Sequence, residues 1–116
     1  MNNKKVIILL IYVLFMIINS VVTFSFESQL WKYDKYVHFI EFFILGILII
    51  NIFLSKLDLK LFAVLLLLVA CIGLIDEGIQ FLIPGRIPDI KDFYYDIFGG
   101  SFGMLLLYLF NDKING

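Results

Sequence analysis

The chain has 116 residues, 62% of them hydrophobic and 16% charged, with a net charge of −1 at pH 7. An average soluble domain is about half apolar and about a quarter charged, so this composition belongs in a bilayer, with room for one domain of at most four or five crossings at ~20 residues each. The near-neutral charge gives no basic surface to track phosphates, which excludes nucleic-acid binding, and the length excludes a large soluble domain.

The first apolar run, 6–24, carries no charge and is long enough to cross the hydrocarbon core. Lys4 and Lys5 precede it as they would a signal peptide, but the run exceeds a usual signal core and no Ala-x-Ala-like site follows, which makes it an uncleaved anchor. A second span is expected over about residues 36–54, with His38 and Glu41 in its first turns and an aliphatic or Phe remainder. The connector 55–60 leads to a third span, about residues 61–83, with Asp76, Glu77 and Gln80 near its far end. Cys71, the single cysteine, lies inside that run and reads as a small buried apolar residue. Pro84-Gly85 stops the helix by removing a donor and offering a residue competent for the left-handed region, and Pro88 precedes a fourth span over about residues 93–110.

The expected architecture is therefore all-α: one domain forming an integral membrane four-helix bundle with both termini on the same side. Alternating directions bring the start of the second span, the end of the third and the start of the fourth to one membrane face. Lys4, Lys5, Lys56, Lys60 and Lys113 fall on one side, and Lys32, Lys35, Arg86 and Lys91 on the other. The bias favours cytoplasmic termini and an extracytoplasmic polar face in the cell membrane. Trp31, Tyr33 and Tyr36, with Tyr94 and Tyr95, fit an interfacial aromatic belt.

Spacing carries the site. Asp89, Asp92, Asp96, Gly99 and Gly103 follow at intervals of three, four, three and four, one face of a helix that is acidic above and glycine-lined below. The Gly99/Gly103 pair lets two helix backbones approach closely, and Gly100 belongs to the same packing surface. Ala70, Gly73, Glu77 and Gln80 form a comparable stripe on the third span. Adjacent residues on a helix are about 100° apart, so Glu77 is expected to share that stripe, and Asp76, about one turn before Gln80, to flank it or hydrogen-bond upward. Asp34, His38 and Glu41 are spaced by four and three, with Asp34 also suited to cap the helix start. Glu41, one turn from His38, makes a working pair of the two, and the three polar stripes predict an acidic cavity at the membrane surface. Lys91 reads as solvated, and Asp89 suits a loop and a site equally.

The order Asp34-Lys35-x-x-His38-Phe39, then Glu77-x-x-Gln80, then Pro84-Gly85-Arg86-x-x-Asp89-x-x-Asp92, ending in Gly99 and Gly103, resembles the VanZ-like membrane proteins over residues 31–110. Two positions depart from the family pattern: Asp96 stands where the last span usually has Asn, and Glu41 stands near a common Tyr position. The resemblance implies His38, Glu77, Gln80, Arg86, Asp89 and Asp92 as motif residues. It also implies a relationship to an accessory protein of glycopeptide resistance that lowers susceptibility to teicoplanin. It supplies no catalytic mechanism.

The candidate ligand-binding residues are thus His38, Glu41, Glu77, Gln80, Arg86, Asp89, Asp92 and Asp96. One reading is a site for a membrane lipid headgroup, a lipid-linked cell-wall precursor or a lipoglycopeptide. Arg86 would pair with phosphate or carboxylate there, and the acids would accept hydroxyl and ammonium donors. A second is a membrane-embedded enzyme on lipid headgroups, with Glu77 or Asp92 as general base and His38 as acid or orienting partner. The acids with His38 also suit a divalent cation, magnesium or calcium before zinc on the oxygen-rich ligand set, although no cofactor is required. Ser101 and Cys71 lie too deep in apolar runs to serve as nucleophiles. A third reading is a structural protein whose glycine seams pack against membrane partners or a second copy. Transport is disfavoured because the acids occupy one end only.

Overall fold

A computed structural model describes residues 3–22, 34–82 and 90–115, with side chains over 3–19, 35–82 and 90–110. The described residues form four α-helices: α1 (Asn3–Val22), α2 (Asp34–Phe53), α3 (Leu59–Leu82) and α4 (Ile90–Asn115). The stretches Lys35–Lys56, Leu59–Leu82 and Ile90–Phe110 are each long and apolar enough to cross a membrane. The first expected crossing, 6–24, lies partly outside the described residues, though α1 is helical over 20 residues of it and its flank. α4 runs to Asn115, beyond the expected end of the fourth span.

Local chemistry accounts for the α2–α3 junction. α2 tightens into a short 3₁₀ turn at Leu54–Lys56, and Asp58 then caps α3. Its Oδ1 accepts from the Leu61 backbone N–H at 2.7 Å, which satisfies one of the donors a helix start leaves without an intrahelical partner.

α2 packs most extensively against α4, then α3 against α4 and α1 against α2. Glycine sets the α2–α4 approach. A Cβ on Gly99 would strike the Phe39 carbonyl oxygen, one on Gly103 the Phe43 carbonyl oxygen, and one on Gly46 the Gly100 carbonyl oxygen. The first two pairs advance together by four residues on each helix, so α2 and α4 run parallel. Gly100 turns toward α3, where a Cβ would meet Val69 Cγ1. The expected packing role of Gly99, Gly100 and Gly103 is thus realised inside one chain.

The apolar core comprises Met16, Phe42, Leu45, Ile49, Ile50, Leu65, Val69 and Met104. Phe39, Phe43 and Phe102 pack ring on ring beside it, with Phe43 and Phe102 centroids 5.6 Å apart. The outer faces remain apolar and exposed: Leu67, Leu74 and Ile75 on α3, and Phe98 and Phe102 on α4. That surface suits lipid, which needs no polar covering. Cys71 joins this outer face, exposed on α3, and not the buried interior expected for it. Its helix position places it there: Cys71 lies five residues before the buried Asp76, which puts the two on opposite sides of α3. Tyr36, Tyr94 and Tyr95 are exposed at the helix starts, in keeping with an interfacial belt.

α1 is held to α2 by polar contacts at both ends. Lys5 Nζ donates to the Asn51 carbonyl at 3.2 Å, and Tyr12 Oη donates to the Glu41 carbonyl at 2.7 Å. These contacts pair the start of α1 with the end of α2 and its later turns with the start of α2, so the two helices are antiparallel.

Candidate functional site

Five polar side chains are buried among the described residues: His38 on α2, Asp76 and Gln80 on α3, and Asp92 and Asp96 on α4. Each sits where its helix is closest to one end of the molecule. His38 lies four residues past the start of α2, Asp96 six past the start of α4, and Gln80 two before the end of α3. The parallel α2–α4 register matches His38 to Asp96, with the glycine seam directly below. The small residues that bring the backbones together also bring these side chains within reach.

His38 is the hub. Its Nδ1 lies 2.7 Å from Asp96 Oδ1, with both side chains essentially removed from solvent, and 3.6 Å from Asp76 Oδ2. On the far side of the ring, Nε2 lies 3.4 Å from Gln80 Nε2, which also donates to Asp76 Oδ2 at 3.2 Å. With the Gln80 amide N–H toward Nε2, a neutral ring would hold its proton on Nδ1, facing Asp96. The Asp76–Gln80 bond joins residues one turn apart on α3, which rigidifies the third side of the cluster.

Two oxygens in this network have no hydrogen-bond partner among the described residues: Asp96 Oδ2 and Gln80 Oε1, each on a side chain at most 2% exposed. Buried polar atoms are rarely left so, because the desolvation cost is then uncompensated. Ligating atoms of His38, Asp76, Glu77 and Asp96 all lie within 4.8 Å of one another. The arrangement is a compact acceptor-rich centre, able to take hydroxyl, amide or ammonium donors or a cation.

The expected site residues divide accordingly. His38, Gln80 and Asp96 meet directly, Glu77 is half-buried at their edge, and Asp92 is buried one turn before Asp96. Arg86 and Asp89 lie outside the described residues, as do Pro84 and Gly85. For Asp76 the hydrogen-bonding alternative holds, since Gln80 donates to it, and the marginal position is corrected: it is buried and faces His38. The buried stripe of α3 is Leu65, Val69, Gly73, Asp76 and Gln80, which passes through Val69 and not Ala70. Rotating the stripe by one residue moves Asp76 inward and Glu77 to the side.

Glu41, expected to pair with His38, has a partner on α1. Asn19 of α1 donates from Nδ2 to Glu41 Oε1, so the carboxylate is turned to α1. Residues three apart on a helix differ by about 60° around the axis, enough for His38 to face α3 and α4 while Glu41 faces α1. Asn19 has no counterpart among the residues singled out in the sequence. Its signal was an amide inside an otherwise apolar run, which needs a partner in lipid. Ser101 donates from Oγ to the Ile97 carbonyl at 2.7 Å, a local helix bond.

Apolar membrane-length helices that bury a histidine, three aspartates and a glutamine at one end define a multi-pass membrane protein with an internal polar site. The family model described as VanZ/LLP1 matches residues 2–111, nearly the whole chain, and the chain belongs to that family. No curated protein and no solved structure matches it.

Proposed function

We propose that this VanZ-family protein is a four-helix membrane bundle that binds, at one membrane face, the polar part of a lipid headgroup, a lipid-linked cell-envelope precursor or a lipoglycopeptide. The observation that carries the reading is the His38–Asp96–Asp76–Gln80 network, whose Asp96 Oδ2 and Gln80 Oε1 have no partner among the described residues. Ionisable groups inside spanning segments are costly and mark function by default. Acceptors of this kind select donors: sugar hydroxyls, amides and ammonium groups. Asp92 extends the acceptor set toward the helix start; on this reading Arg86 pairs with a phosphate or carboxylate of the ligand, and Asp89 accepts hydroxyl or ammonium donors.

The polar face is extracytoplasmic on this reading, and both termini are cytoplasmic. Support comes from Lys5 tied to the end of α2, the parallel register of α2 and α4, and the excess of basic residues on the side of the termini. Reduced susceptibility to teicoplanin-type glycopeptides follows for this chain if a lipoglycopeptide or its precursor target is the ligand. The test is titration of the protein in nanodiscs with a lipid-linked cell-wall precursor, a teicoplanin-type lipoglycopeptide and anionic and zwitterionic phospholipids. Saturable binding of one class that D96N weakens supports the reading, and no saturable binding of any class overturns it.

The His38–Asp96 bond favours a second reading, headgroup chemistry in which Glu77 or Asp92 acts as general base and the imidazole held by Asp96 is the orienting partner. Comparison of the lipid composition of cells with and without the protein separates the two. A headgroup product that disappears in H38Q indicates chemistry, and an unchanged lipid profile indicates binding alone.

A further inference from the structure

We infer that His38, Asp76, Asp96 and Glu77 form a site for one first-row divalent transition metal, manganese or zinc. The inference rests on the reading above that this cluster is a ligand site, and it names what the site takes first.

Geometry supplies the first support. In a tetrahedral site with metal bonds of about 2.0–2.1 Å, neighbouring ligand atoms are separated by roughly 3.3 Å. His38 Nδ1 lies 2.7 Å from Asp96 Oδ1 and 3.6 Å from Asp76 Oδ2, which brackets that edge. A ligand atom of Glu77 joins the same group, with all four within 4.8 Å of one another. These ligands come from three helices, none of which has to unfold or rotate to present them.

The independent support is Asp96 itself. Its side chain is fully buried, it belongs to the cluster, and its Oδ2 has no hydrogen-bond partner among the described residues. The Nδ1 proton of His38 satisfies only one oxygen of that carboxylate, whereas a dication compensates the whole group and its neighbours Asp76 and Glu77 together. Gln80 then acts as a positioning residue. Once a metal replaces the Nδ1 proton, the neutral ring carries its hydrogen on Nε2, and the Gln80 amide can turn its unpartnered Oε1 to accept it.

Ligand type selects the ion. Calcium takes six to eight oxygens and magnesium keeps most of its water. One imidazole nitrogen with three carboxylates in a buried, four-residue group suits manganese or zinc. The imidazole at the centre of the cluster therefore reverses the preference for magnesium or calcium expected from an oxygen-rich set.

The test uses the full chain in detergent, stripped with a chelator and titrated by calorimetry with MnCl2, ZnCl2, MgCl2 and CaCl2, with circular dichroism to verify helicity. One equivalent of manganese or zinc is expected to bind. H38Q and D96N are expected to raise Kd by at least about tenfold, the lower end of what loss of a supporting partner alone does. C71S is expected to bind as wild type, because Cys71 lies on the opposite side of α3. No saturable binding of manganese or zinc by helical wild-type protein overturns the inference, as does binding that H38Q and D96N leave unchanged while helicity is retained. Headgroup binding by protein that shows no saturable manganese or zinc binding overturns the metal while leaving the binding function standing. Metal binding without any headgroup binding does the reverse.

Discussion

His38 on α2 and Asp96 on α4 meet through a 2.7 Å hydrogen bond between Nδ1 and Oδ1, although 58 residues separate them in sequence. The bond sits directly above the glycine seam. Phe39 and Phe43 on α2 face Gly99 and Gly103 on α4 so closely that no Cβ fits between them. The seam is therefore the structural condition for the site, and the site is where a buried carboxylate is placed against the only histidine of the chain.

If the seam sets the site, Gly99→Ala and Gly103→Ala should each cost at least about 1–3 kcal/mol, the usual penalty for overpacking, because the obstructing atoms are main-chain oxygens that cannot rotate away. Gly78→Ala, which meets nothing within 4 Å, should be neutral or stabilising by up to about 1 kcal/mol through helix propensity. Denaturation in mixed micelles measures all three, and equal effects at positions 78 and 99 would refute the close approach.

With one histidine in the chain, the tautomer of the chelator-treated protein can be read from two ¹⁵N resonances. The Gln80 N–H aimed at Nε2 predicts a proton on Nδ1 in wild type and a shift toward the Nε2–H form in D96A, which removes the acceptor holding Nδ1–H. Nε2–H in the metal-free wild type would contradict the network.

Asp76 should matter more than Glu77. Asp76 is buried, faces His38 and accepts from Gln80, while Glu77 is half-buried at the edge. D76N is expected to weaken ligand binding by about ten- to a hundredfold, the range for a hydrogen bond to a charged group, and E77Q by less. Side-by-side titrations decide, and a larger loss in E77Q would restore the ranking drawn from sequence spacing.

The contact between Asn19 and Glu41 belongs to the attachment of α1 and not to the cluster. Asn19→Leu should lower stability by about 1.5–3 kcal/mol, the value of a hydrogen bond to a charged group, and leave ligand affinity unchanged. Parallel unfolding and binding measurements separate the two effects.

Much of this was legible in the sequence. Apolar runs of membrane length located three crossing helices and α1, and the three-four spacing of Asp92, Asp96, Gly99 and Gly103 put acid and seam on one face of α4. The errors share a cause. Periodicity tells which residues share a stripe but not which stripe faces inward, and on α3 two stripes one residue apart both contain Gly73 and Gln80. Val69, fully buried under Gly100, fixes the rotation that brings in Asp76. Spacing also cannot tell which neighbouring helix a side chain meets, so Asn19, in a run that reads as purely apolar, gave no sign of its bond to Glu41. Cys71 shows the same limit in a helix surrounded by lipid, where an apolar residue is equally at home on either side.

The central claim is that the cluster below the starts of α2 and α4 holds the ligand. The most direct measurement is the affinity of nanodisc-embedded wild type, H38Q, D96N and E41Q for whichever lipid-linked precursor, lipoglycopeptide or phospholipid wild type binds saturably. The account predicts wild-type affinity in E41Q and a loss of about tenfold or more in both H38Q and D96N with helicity intact. Unchanged affinity in H38Q and D96N, or a loss confined to E41Q, would contradict it.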